Sequence, residues 1–124
     1  MRETTVVVAR PGRLRAALSA LLTTISQLEI IGQADDSFSA LKLVAERDPA
    51  LILLDSSLKD DEVKEIVSQI KAKRPQTHCL VLADTPQQQQ MAKNAGADEI
   101  LLKGHPAANL MANIEKFLMS VREV

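Results

Sequence analysis

Leu51-Ile52-Leu53-Leu54-Asp55 is the stretch on which the fold turns. A strand with one wet face alternates apolar and polar residues; four consecutive aliphatic side chains leave no polar face at all. Such a run reads as a strand covered by helices on both sides, the pattern of a parallel sheet. Asp55 ends it with a carboxylate that must meet water, a cation or hydrogen-bond donors. Working outward, Thr5-Val6-Val7-Val8-Ala9 and Cys79-Leu80-Val81-Leu82-Ala83 are nearly as continuous. Leu28-Glu29-Ile30-Ile31-Gly32 is more polar and fits an edge strand, and Glu99-Ile100-Leu101-Leu102-Lys103 supplies a fifth.

Segments of helical period separate these runs. From Arg13 to Ile25, Leu14, Leu18, Leu21, Leu22 and Ile25 recur at spacings of three and four and form one apolar stripe. A second helix runs from Ser37 to Arg47, stopping before Asp48-Pro49, with Asp36 or Ser37 as its cap. The third spans Asp61 to Lys73, turns Val63, Ile66, Val67 and Ile70 inward, and is blocked by Pro75. Asp60-Asp61-Glu62 suits the positive end of that helix. Thr85-Pro86-Gln87-Gln88 is a capping box with proline at the first helical position, and Gly96 closes the fourth helix. The last starts near Pro106 and carries Leu110, Ile114, Phe117, Leu118 and Val121.

Alternating strands and helices imply βαβ crossovers and a parallel sheet. The expected architecture is therefore an α/β, flavodoxin-like, doubly wound sheet of five strands in the order 2-1-3-4-5, with five helices. No linker or repeat divides residues 1–124, which read as one domain, one that in a longer protein would join an output domain after Val124. The net charge of -1 excludes a broad basic surface for nucleic acid, and no apolar stretch approaches the roughly 20 residues of a membrane span. A cytoplasmic location is expected. The single cysteine, Cys79, lies in an apolar run and reads as a buried structural thiol. The two aromatics, Phe38 and Phe117, fall at core-like helical positions, so a flavin-type cofactor binder has little support. No Ser/His/Asp set, Cys/His cluster or phosphate loop is present. His78, at the start of the fourth strand, reads as structural or solvated.

In open parallel sheets, sites form at the carboxyl ends of the strands. Here those ends are Ala9-Arg10, Asp55-Ser56-Ser57, Ala83-Asp84 and Lys103-Gly104. The proposed strand order brings Arg10, Asp55, Ala83 and Lys103 together.

With Leu51–Asp55 and Ala95-Gly96-Ala97-Asp98-Glu99-Ile100-Leu101-Leu102-Lys103 as its strongest pieces, the chain resembles the receiver domain of bacterial response regulators. Ile31-Gly32-Gln33-Ala34-Asp35-Asp36 and Ala40-Leu41 add support, and the likeness covers essentially the whole chain. The resemblance implies that Asp55 is the phosphoacceptor for a histidine kinase and that Lys103 pairs with the phosphate. It implies magnesium held by Asp55, by an acidic pair after the first strand and by the carbonyl of Ser57. A Ser or Thr ending the fourth strand and an aromatic residue in the fifth would relay the change.

The sequence departs from that pattern in several places at once. Ala9-Arg10 replaces the acidic pair, Ala83 replaces the hydroxyl residue and Ile100 the aromatic. The proline and glycine usual after the phosphoacceptor are missing from Ser57-Leu58-Lys59-Asp60-Asp61-Glu62. Magnesium needs near-octahedral oxygen ligands, whereas Arg10 brings a positive charge to its place. Two unit charges about 4 Å apart near a surface attract by about 4 kcal/mol before desolvation, so an Arg10–Asp55 pair, with Lys103 close by, is expected to stand in for the metal. The expectation is a degenerate receiver, not an enzyme, with no resident cofactor or metal. It would work in two-component phosphorelay signalling through association with a histidine kinase or an output domain. Met111, Ile100 and Leu110 would form the interface, extending to a weak homodimer through the fourth and fifth helices. The competing expectation is a working receiver, phosphorylated at Asp55 with magnesium and controlling a DNA-binding output domain in transcription.

Overall fold

The computed structural model describes residues 2–55, 58–102 and 107–122 of the 124-residue chain. Along it run β1 (Glu3–Val8), α1 (Arg13–Thr23), β2 (Leu28–Ala34), α2 (Ser37–Arg47), β3 (Leu51–Asp55), α3 (Asp60–Lys73), β4 (His78–Ala83), α4 (Pro86–Ala95), β5 (Glu99–Leu102) and α5 (Ala107–Arg122). The strands form one parallel sheet in the order β2-β1-β3-β4-β5. This is the flavodoxin-like arrangement that the apolar runs imply. No helix among the described residues is long and apolar enough to cross a membrane.

The continuous aliphatic runs are explained by cover on both faces. All of β3 is buried. Its alternate residues Ile52 and Leu54 join Val6, Val8, Val81, Ala40, Val44, Ile66 and Ile70 in one cluster beneath α2, α3 and α4. Leu51 and Leu53 point the other way, to Val7, Leu80, Leu22, Ile114 and Phe117 beneath α1 and α5. At ~25 cal/mol per Å2 of apolar surface removed from water, this two-sided burial is the main stabilising term.

The amino ends of the central strands are tied together by polar groups. The Ala50 amide donates to the Thr4 carbonyl at 2.9 Å and to Thr4 Oγ1 at 3.1 Å. Thr77 Oγ1 donates to the Pro49 carbonyl at 3.0 Å, and the His78 amide donates to the Ala50 carbonyl at 2.9 Å. Just before, Asp48 ends α2 in the left-handed region (φ 46°), its carboxylate 3.3 Å from Arg74.

The helix ends follow the sequence signals. Asp36 caps α2, accepting from the Ser39 amide at 2.7 Å. Thr85 Oγ1 accepts from the Gln88 amide at 3.1 Å, while Gln88 Oε1 accepts from the Asp84 amide at 2.7 Å. Gly96 closes α4 at φ 106°, a conformation open to glycine at little cost. The expected start of α5 near Pro106 and its residue Val121 are not settled, because Pro106 and the Val121 side chain lie outside the described residues.

Three expectations are corrected. Phe38 is not in the core but 77% exposed. Ala40 and Val44 face the sheet, and at 100° per residue Phe38 stands well round the helix from them. Leu14, placed in the apolar stripe of α1, is 41% exposed, because the buried contacts begin a turn later at Leu18 and Leu22. The second strand runs past Gly32 to Ala34, and its pairing with β1 shifts register between Thr5 and Val6.

Candidate functional site

The register places the strand ends in one row. Val8 pairs with Leu54, so Ala9 stands level with Asp55; Asp55 pairs with Leu82, and Ala83 with Leu102. Asp55 is buried (0% exposed), with Ala9 at 1% and Ala83 at 0% beside it. By alternation Asp55 lies on the same sheet face as Leu51 and Leu53, beneath α1 and α5. Arg10 follows Ala9 as an exposed residue opening the loop to α1. In that loop Gly12 adopts φ 154° and ψ -169°, a region essentially reserved for glycine. The fold thus brings positions 9, 55 and 83 together, with Arg10 at the rim. Ser57 and Lys103 lie outside the described residues.

Asp55 has methyl groups at the flanking positions 9 and 83. Three other acids near the carboxyl ends, Asp36, Glu62 and Asp60, are engaged elsewhere. Asp36 caps α2, and its bonds from the Ser39 hydroxyl and amide hold its carboxyl below the usual range. Glu62 Oε2 accepts from the Ser37 amide at 3.1 Å, tying α3 to α2. Asp60 Oδ1 accepts from Gln88 Nε2 at 3.1 Å, tying α3 to α4. The acidic run at the start of α3 therefore joins three helices as well as facing its own helix end. Among the described residues, no three His, Cys, Asp or Glu side chains gather as a metal set.

The opposite end of the sheet has a different chemistry. Lys71 Nζ lies 2.6 Å from Asp98 Oδ2 and donates to the carbonyls of Pro75 (3.0 Å) and Thr77 (2.7 Å). Asp98 Oδ2 also accepts from the Cys79 amide at 2.8 Å. The Cys79 thiol is buried, and desolvation pushes its pKa up to about 12, as suits an inert structural thiol. His78 packs on Phe117 with ring centroids 4.8 Å apart, and burial lowers its pKa.

The three expected interface residues are covered to different degrees. Leu110 is only 7% exposed and belongs to the core, so it is not available to a partner. The underside of α5 is covered across its width, taking in Leu110, Ile114, Phe117 and Leu118 together. Met111 and Ile100 are half-buried. Ile100 lies in a shallow groove between α4 and β5 with Pro86, Gln89, Gln90 and Lys93. Among the described side chains of α5, the exposed large apolar one is Met119, at 60%.

The family model for the response regulator receiver domain matches residues 11–115. The chain belongs to that family. Among curated proteins, the response regulator protein VraR of Staphylococcus aureus is 30% identical over 104 residues, which cover 82% of this chain and 50% of VraR. The receiver thus spans about half the length of the curated relatives it matches. A LuxR-family two-component response regulator from Aurantimonas sp. SI85-9A1 superposes with a TM-score of 0.86 at 20% identity, covering 97% of this chain and 87% of the other. The signal receiver domain of the response regulator NarL from Mycobacterium tuberculosis gives 0.81 at 21% identity, covering 93% and 94%. These structural likenesses establish the fold.

Proposed function

We propose that this receiver signals by association with protein partners and does not depend on magnesium-assisted phosphorylation of Asp55. The observation that carries this reading is the company Asp55 keeps: Ala9 and Ala83 at the neighbouring strand ends and Arg10 at the rim. Magnesium asks for several oxygen ligands in near-octahedral array, and positions 9, 10 and 55 offer one carboxylate and one guanidinium. That set does not fit the metal. A cation carried by the chain itself compensates the buried carboxylate instead, and Ala83 has no hydroxyl with which to report a phosphoryl group. The domain is then a binding module without enzymatic activity or resident cofactor, acting in the cytoplasm. The α4–β5 groove around Ile100 and the half-buried Met111 are its surface for an output domain or histidine kinase.

Incubation with acetyl phosphate and magnesium, followed by intact-mass measurement, tests this reading. The protein should stay at its unmodified mass. Extensive conversion to a species one phosphoryl group heavier, abolished by Asp55→Asn, would overturn it.

A second reading keeps one observation in its favour: the acceptor carboxylate itself is retained at the end of β3. Related structures include a DNA-binding response regulator of the LuxR family from Staphylococcus aureus. On that reading the chain is the phosphorylated receiver of a longer DNA-binding regulator, and the mass experiment separates the two.

A further inference from the structure

The outer side of α2 carries both halves of a self-complementary contact. Phe38, at its first turn, is 77% exposed, the largest exposure among the large apolar side chains described. Further down the same helix a slot of about 100 Å3 opens between α2 and α3, lined by Leu41, Val44, Ala45, Ile70, Lys73 and Arg74. The slot is smaller than the enclosed aliphatic cavity of roughly 150 Å3 that holds a whole benzene ring, but its mouth is open, so a ring enters it edge-first and only in part. From Phe38 to Ala45 is about 10 Å along the helix at 1.5 Å per residue.

The geometry points to an isologous dimer in which Phe38 of each copy enters the α2–α3 slot of the other. In a two-fold contact each copy offers the same patch, so residue i meets j and j meets i. An axis crossing α2 near Leu41 would superimpose each Phe38 on the partner copy's slot. At 100° per residue, Leu41 and Ala45 lie on one side of Phe38 and Lys42 on the other. The apolar residues therefore meet at the axis while Lys42 stays at the edge.

Charge agrees with this antiparallel arrangement. The exposed flank of α3 carries Glu65 in its upper half and Lys73 at its lower end, next to Arg74. Reversing one copy against the other sets Glu65 opposite Lys73 twice. The occupant is thus a second copy of this chain, with ring, slot and charges all supplied by its own residues. The contact uses no residue of the Asp55 row and does not depend on the proposed function.

Sedimentation equilibrium of the full chain tests it. The weight-average mass should rise from 13.5 kDa toward twice that value as protein concentration reaches the high micromolar range. Phe38→Asp, at an exposed position that tolerates a charge, should weaken association by about tenfold or more while leaving the far-UV circular dichroism unchanged. Ala45→Glu should do the same from the slot side. Glu65→Lys and Lys73→Glu should each weaken the dimer, and the double reversal should restore it. A wild type that stays monomeric overturns the proposal. So does a dimer indifferent to Phe38→Asp; sensitivity to Ile100→Glu in that dimer would move the interface to α4 and β5.

Discussion

Replacing Asp98 with alanine should destabilise the domain by about 2 kcal/mol, through a loss that lies far from the Asp55 row. The Asp98 carboxylate accepts from the buried Cys79 amide at 2.8 Å and meets the Lys71 ammonium at 2.6 Å. Stranding a buried amide costs ~1–3 kcal/mol. A partly exposed ion pair adds ~1 kcal/mol or less. The Asp98 side chain is 32% exposed and Lys71 19%, so water reaches the gap and the total settles near the lower part of the summed range. Lys71 keeps the Pro75 and Thr77 carbonyls, which limits its own loss. The chain has no Trp or Tyr, so urea unfolding is best followed by far-UV circular dichroism. With a slope of ~1–3 kcal/mol per molar urea, the midpoint should drop by about 1 M at unchanged slope. A double-mutant cycle with Lys71→Met should return a coupling of about 1 kcal/mol. A midpoint shift corresponding to less than ~0.5 kcal/mol, the range of an ordinary surface substitution, would show that Asp98 is only a surface charge.

Three further outcomes are expected. His78 is held below its usual value of 6.5 by burial, so the unfolded chain takes up the proton more readily. Stability should hold above about pH 6.5 and fall as pH drops through the folded value, and His78→Leu should flatten that slope relative to wild type; equal slopes in the two proteins would refute it. Thr85→Ala removes the bond to the Gln88 amide and should cost about 1 kcal/mol in urea titration, while no change would mean that Pro86 alone sets the start of α4. Ala9→Asp together with Arg10→Asp should create magnesium binding visible by calorimetry where the wild type shows none, and failure of the pair to bind would place the obstacle elsewhere in the site.

Fold and site were unequally legible. Continuous aliphatic runs and helical stripes carry long-range information, because only two-sided cover makes them stable; the strand order followed from them. The row of Ala9, Asp55 and Ala83 was legible for the same reason, since ends of adjacent parallel strands must converge. Phe38 was misread because residue type does not say which way a helix turns. The small Ala40 and the Val44 side chain take the inner positions, and the larger ring is left outside. Leu110 was misassigned because the width of cover over α5 depends on α1 beside it. The Ala95–Lys103 stretch marked the family without revealing that Asp98 binds Lys71 and the Cys79 amide, partners set by tertiary packing alone.

The polar ties among Thr4, Pro49, Ala50, Thr77 and His78 bear on how the domain breathes. They lock β3 at its start between two neighbours that are themselves paired on both sides, whereas β2 and β5 each have a free edge. Amide hydrogens should therefore exchange with solvent from the sheet margins inward, with those of Ile52, Leu53 and Leu54 the last to go. Asp55 rides on the end of that slowest segment. Local opening can loosen the rim around it, while the strand that carries the carboxylate is the last to unpair.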